Sequence, residues 1–189
     1  MNRNNYQAAK LCHRFINEHV SEGDICIDGT AGRGNDTLLL CELVGDSGRV
    51  IAFDIQEEAI ADTERNLVKH QLRHRAHLVL GSHIDMKQYA DEASVSCIVF
   101  NFGYLPGADH NIATKAATSV EAIRQGLSLL KAGGIMCLCI YSGGDSGFEE
   151  KDAVLNFLKT LDQKTYLVIL NQYFNRSNNP PIPALIIKH

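Results

Sequence analysis

No run of about 18 apolar residues occurs in the 189-residue chain, so a membrane-spanning helix is not expected. The opening stretch MNRNNYQAAK lacks the apolar core of a secretory signal. Basic residues are no majority: 18 Lys and Arg stand against 22 Asp and Glu, a net charge of −4. No overall positive field therefore draws the chain to nucleic acid, although a local patch can. The six cysteines, at positions 12, 26, 41, 97, 137 and 139, form no C-x-x-C pair. Four of them (26, 97, 137 and 139) lie in apolar strand-like runs, the pattern of buried thiols acting as small hydrophobes. The eight histidines show no H-E-x-x-H spacing, so no metal site is expected. Repeats, low-complexity segments and an interdomain linker are also missing. With 45% hydrophobic residues, one core is expected within a single domain spanning 1–189, cytoplasmic by default.

What is present alternates. Apolar runs at 24–28, 49–54, 76–80, 94–101 and 135–141 read as strands, and helical spacing fills 34–44, 56–71, 118–130 and 149–161 between them. Ala132-Gly133-Gly134 reads as a glycine stop for the third of these helices. Strand–helix alternation of this kind predicts a parallel sheet covered on both faces. Residues 165–174 and 183–188 follow as two more strands with only NRSNNPP between them. That link is too short for a crossover helix and predicts an antiparallel hairpin at one edge. An amphipathic helix over 6–20, within an N-terminal segment 1–22, packs onto this domain. The expected architecture is a doubly wound, mostly parallel seven-stranded α/β sheet ending in an antiparallel hairpin.

The first strand runs into CIDGTAGRGNDT, residues 26–37, with three glycines in six positions. A P-loop is excluded, because Asn35-Asp36 stands where Lys-Ser/Thr must follow the last glycine. A dinucleotide turn needs G-x-G-x-x-G; Gly32 and Gly34 fit, but Thr37 replaces the third glycine. Asp28 and Asp36 also flank the spot where a pyrophosphate would lie. At about 4 Å and an effective dielectric near 20, each like-charge contact costs on the order of 4 kcal/mol. S-adenosylmethionine suits the turn better, since its sulfonium and ammonium groups are cationic and glycines such as Gly32 let backbone approach closely. Asn35 and Asp36 are at the same time ordinary first-turn helix residues.

Asp54 ends the second strand about 20 residues past the glycines, where a carboxylate accepts both ribose hydroxyls. NAD and S-adenosylmethionine sites share that feature. Gln56 can reach the adenosine through its amide. Leu80-Gly81-Ser82-His83 ends the third strand where an adenine ring would lie, making Ser82 and His83 candidate contacts. The fourth strand ends in NFGYLPG. Methyl transfer is an in-line displacement that depends on alignment, and Asn101 can orient an amine lone pair through its side-chain oxygen. Tyr104 offers a ring face for a base or cation. Asn101 and Tyr104 are the candidate catalytic residues, and Gly103, Pro106 and Asp109 the candidate substrate contacts.

The segments DGTAGRGNDT, FDIQ, LGSH, NFGYLPGADHNIAT and YSGGDSGFEEK together resemble the YtqB-like family, long labelled rRNA methylases. The resemblance runs from about Asp24 to the C-terminus, and NFGYLPG is its most specific part. It implies a Rossmann-like class I methyltransferase that uses S-adenosylmethionine, with cofactor contacts at Asn35, Asp36, Asp54, Gln56, Ser82 and His83. It also implies a substrate: the aminomethyl group of a modified wobble uridine, 5-aminomethyl-2-thiouridine, in the tRNA anticodon region.

Read from residues alone, a small-molecule N-methyltransferase fits the acidic balance, and a non-catalytic S-adenosylmethionine-binding protein also remains open. Lys69, His70, Arg73, His74 and Arg75 form one basic cluster, and Arg3, Lys10, His13 and Arg14 another; such clusters are usually solvated faces. Holding tRNA on so small a domain calls for a local contact or a second subunit, and a homodimer is expected.

Overall fold

The computed structural model describes residues 6–102, 116–142 and 144–189. Its strands are β1 (Ile25–Asp28), β2 (Arg49–Asp54), β3 (Ala76–Leu80), β4 (Val95–Phe102), β5 (Leu130–Ile140), β6 (Tyr166–Leu170) and β7 (Ile182–Lys188). The helices are α1 (Ala8–His19), α2 (Asn35–Val44), α3 (Glu57–Lys69), α4 (Ala116–Leu129) and α5 (Gly144–Lys159). One seven-stranded sheet runs in the order β3-β2-β1-β4-β5-β7-β6. β1 to β5 are mutually parallel, and β7 is antiparallel to both β5 and β6, the hairpin expected from the short link, which here runs over 171–181 because β6 ends at Leu170.

The pleat sorts side chains into two cores. Ile27, Phe53, Ile98, Phe100, Phe102, Leu138 and Ile140 face one side and meet Ile123, Leu127, Val154 and Leu158 of α4 and α5. Cys26, Val50, Cys97, Val99, Cys137 and Cys139 face the other and meet Cys12, Ile16, Leu40, Cys41 and Leu67 of α1, α2 and α3. Alternate residues go to opposite faces because the strand period is two. Both faces are covered, so β4 reads as continuous apolar sequence. Each large side chain sealed here, such as Phe53 or Phe100, contributes about 1.5–3 kcal/mol relative to exposure. All six cysteines are free and buried, and all six lie in the second core, where small apolar groups let helices approach the sheet.

Some boundaries differ from the sequence expectation: α5 starts at Gly144 rather than 149, β6 ends at Leu170 rather than 174, and the junction of α4 with β5 is read differently. The glycines at 133–134 do not cap α4, which ends at Leu129. They lie within β5, where the pairing jumps from Val95↔Leu130 to Cys97↔Ile135. Three surplus residues bulge there, and Gly133 takes φ +76°. Glycine adopts that conformation without strain, so the chain can kink inside a strand and resume it.

Candidate active site

Parallel strands end at the same edge, so Asp28, Asp54, Leu80 and Phe102 close β1 to β4 on one side of the sheet. Strand order reverses between β1 and β4. That reversal opens a crevice beyond the carboxyl ends, the usual place for a ligand in such sheets.

The glycine turn lies in this crevice and is braced from beneath. Asp28 is fully buried; its carboxylate accepts from the Thr30 amide at 3.1 Å and the Thr37 hydroxyl at 2.6 Å. Burial pushes its carboxyl up to about 7, and the nearby charge of Asp36 pushes the same way. Gly34 caps α2 at φ +75°, and a Cβ there would come within 2.9 Å of the Thr63 Cα. Only glycine fits that close left-handed crossing. Asn35 is exposed at the start of α2.

Asp54 reaches across to the same turn. One carboxylate oxygen accepts from the Gly32 amide at 2.9 Å and the other from the Gln56 amide at 3.0 Å. Each oxygen has a second lone pair, so both retain capacity for a hydroxyl. Gln56 precedes α3 without using its side chain as a cap. Beside Asp54, Ile55 and Leu80 are exposed at 58% and 57%. Sequence reasoning missed this apolar pair: Leu80 lies in a run read as a strand, and Ile55 stands alone between Asp54 and Gln56.

Ser82 opens a short 3-10 helix, and His83 turns inward. His83 Nδ1 donates to the Gly29 carbonyl at 3.0 Å, which leaves Nε2 as an acceptor, buried and without a hydrogen-bond partner among the described residues. Its ring meets Phe100 edge-on at 5.6 Å. Burial lowers its pKa, more than the Gly29 bond raises it, so the ring stays neutral.

At the end of β4 the backbone amide of Asn101 donates to Thr30 Oγ1 at 2.7 Å, joining this strand to the glycine turn. Its side-chain Nδ2 donates to Asp36 Oδ2 at 2.7 Å, while His13 Nε2 meets Asp36 Oδ1 at 2.5 Å. Both oxygens of Asp36 are thus engaged, one from β4 and one from α1. His13 was grouped in the sequence with a solvated basic cluster; α1 packs across β5 and carries it into the crevice. Nothing in its local spacing signals that destination.

Asp28, Gly32, Asn35, Asp36, Asp54, Gln56, Ser82, His83 and Asn101 therefore share one edge of the sheet. Gly103, Tyr104, Pro106 and Asp109 lie outside the described residues. The basic cluster at 69–75 sits at the opposite end of β3 and is largely neutralised: Arg73 pairs with Glu64 at 2.9 Å, and His74 and Arg75 with Asp46 at 3.0 and 2.6 Å. Among the described residues no helix is long and apolar enough to cross a membrane, and no group of three or more His, Cys, Asp or Glu is placed to hold a metal.

The model of a family described as "Putative rRNA methylase" matches residues 50–187. A Clostridium thermocellum crystal structure described as a "putative rRNA-methylase" is 44% identical, with a TM-score of 0.94 over 97% of this chain and 98% of that one. A "putative methyltransferase" from Streptococcus mutans, solved in complex with SAH, is 37% identical, with a TM-score of 0.88 over 97% and 98%. The chloroplastic tRNA (mnm(5)s(2)U34)-methyltransferase of Arabidopsis thaliana is 33% identical over 95% of this chain and 68% of its own length. By the family match over residues 50–187 and the similarity to these methyltransferases over nearly its whole length, the chain belongs to the rRNA methylase family and is an S-adenosylmethionine-dependent methyltransferase.

Proposed function

We propose that this enzyme methylates the exocyclic aminomethyl group of 5-aminomethyl-2-thiouridine at the wobble position of tRNA. The observation that carries the reading is similarity over 95% of the chain to a relative named for that modification. RNA is the substrate class, and the wobble uridine is the specific acceptor proposed within it.

The residues suit the cofactor. Acids at 36 and 54 favour a cation, and His83 offers a buried acceptor nitrogen with no donor among the described residues. Asp54 takes the ribose hydroxyls. Gln56, Ser82 and His83 serve the adenosine, with Ile55 and Leu80 as apolar walls for the base. Gly32, Asn35 and Asp36 border the methionine part, while Asp28 holds the turn from below. When bound, S-adenosylmethionine supplies an electrophilic methyl group; the rest of the task belongs to the chain.

Asn101 is the positioning group for the acceptor. Its Nδ2 is committed to Asp36, so the amide plane directs Oδ1 the other way, as an acceptor for an amine N–H. An aliphatic ammonium must lose a proton before its lone pair can attack. Tyr104 and Asp109 are the candidate relays, with Gly103 and Pro106 shaping the acceptor turn.

Mass spectrometry of tRNA nucleosides from cells with and without the gene tests the assignment. The unmethylated aminomethyl nucleoside should accumulate without the gene, and purified enzyme should convert it. Unchanged nucleosides would favour a second reading, methylation of a small amine, for which the net charge of −4 is the supporting observation.

A further inference from the structure

One rim of the carboxyl edge carries groups that neither cofactor binding nor acceptor alignment uses. Three segments distant in sequence meet there: the start of α1, the exit of β5 and the turn between β6 and β7. Tyr173 Oη donates to the Tyr6 carbonyl, tying that turn to α1. The Ser142 hydroxyl donates to the Asn179 carbonyl at 3.2 Å, tying it also to the exit of β5. The Arg14 guanidinium lies 5.6 Å from the Tyr6 ring centroid, and Arg176 lies 4.6 Å from that of Tyr173. Phe174 projects fully into solvent from a polar turn, and Tyr6 and Tyr141 are partly exposed. The rim adjoins the crevice, since the Tyr141 amide donates to the Phe102 carbonyl at 3.1 Å and Arg14 follows His13, which reaches Asp36.

Two features decide what such a rim suits. Arg65, Arg73, Arg75 and Arg124 each pair with a carboxylate. Arg14 and Arg176 pair with none among the described residues and lie against rings instead. Their charge remains available to an external anion. An exposed phenylalanine forgoes the burial that a folded chain normally collects. Planar rings interleaved with uncommitted guanidiniums match a single-stranded nucleic acid, whose bases stack on aromatics while its phosphates take arginine. We propose that this rim holds the unpaired nucleotides flanking the methylated one, with Phe174 stacking on a base and Arg14 and Arg176 contacting phosphates. The proposal rests on the RNA-methyltransferase reading above.

The test is fluorescence anisotropy with a labelled anticodon stem-loop RNA at several salt concentrations, with SAH affinity measured alongside by calorimetry. Phe174→Ala should weaken RNA binding roughly 5- to 100-fold, the scale of one lost stacked base, and leave the salt dependence unchanged. Phe174→Trp should retain binding. The double variant Arg14→Ala/Arg176→Ala should flatten the slope of log K against log salt by about 1.4, from two lost single-strand phosphate contacts. SAH affinity should be unaltered in all three, which also reports an intact fold. RNA binding by the wild type that neither alanine variant disturbs would overturn the rim and leave the RNA reading standing. No RNA binding by the wild type at low salt would overturn both. A dimer that Phe174→Ala dissociates without changing RNA affinity would assign the rim to a second copy of the chain and overturn the proposal.

Discussion

Asn101 of β4 and Asp36 of α2, 65 positions apart, share a 2.7 Å hydrogen bond whose direction chemistry dictates. A carboxylate can only accept, so the amide nitrogen must face it and the amide oxygen must face away. In the acceptor site proposed above, Asp36 thereby sets which end of Asn101 faces the amine.

Loss of this contact should appear in the rate. Asn101→Ala is expected to reduce methyl transfer on the order of 10²-fold in single-turnover assays with hypomodified tRNA, the scale of a lost alignment contact. Cofactor affinity should hardly move. Asp36→Asn, which lets the Asn101 amide flip, should also slow transfer. Wild-type rates in Asn101→Ala would remove it from the acceptor site. For the intact enzyme the rate should rise with pH until the amine is mostly neutral, and a falling rate over that range would exclude a neutral-amine attack.

Asp54 carries two loads, which a single substitution should expose together. Asp54→Ala removes the proposed acceptor for the ribose and also the anchor of the Gly32 and Gln56 amides. Affinity for S-adenosylmethionine should fall by about 2–4 kcal/mol, since charged hydrogen bonds are lost and their partners left unpaired. Calorimetry measures this directly. Unchanged affinity would reduce Asp54 to a brace for the turn.

Asp28 should make stability depend on pH in an unusual direction. Its folded carboxyl is raised to about 7 by burial, from an ordinary value of 3.8. The native state therefore binds more protons than the unfolded chain between those values. The stability contribution is complete below the unfolded pKa and is lost as pH rises through the folded one. Asp28→Asn, which has no charge to bury, should be more stable than wild type at pH 8 by on the order of 1–4 kcal/mol, with the difference shrinking at pH 5. Urea unfolding at the two pH values checks the sign, and a gap that widens at pH 5 would contradict the buried-acid account.

Gly34→Ala should destabilise the turn. The left-handed backbone and the 2.9 Å approach to Thr63 both oppose a Cβ. The expected loss is about 1–3 kcal/mol in unfolding free energy, together with weaker cofactor binding. An alanine variant as stable as wild type would mean that α3 gives way easily.

The strand ends were legible because the signal was local. β2 and β3 have the bounds expected from sequence, since each is a short apolar run flanked by polar residues. The acids at 28, 36 and 54 could be found because a glycine turn fixes their distance along the chain. His13 could not, because its role depends on α1 lying across β5 and beside α2. The bulge at Gly133 was misread for a related reason: a glycine pair after a helix resembles a stop signal until the neighbouring strand shows where pairing resumes. Leu80 was hidden in an apolar run and Ile55 was a lone apolar residue between two polar ones, and only the geometry of the sheet edge brings the two exposed side chains together.

β7 follows β6 in the chain, yet it sits between β5 and β6 rather than at the margin. During synthesis β6 therefore emerges with no hydrogen-bonding neighbour, and β5 must wait with one side bare. Five parallel strands can assemble in order as they leave the ribosome, but the sixth cannot join until the seventh arrives to bridge it. This end of the sheet is thus completed only by β7, and a β5 edge left unpaired before then is a template on which another chain could pair.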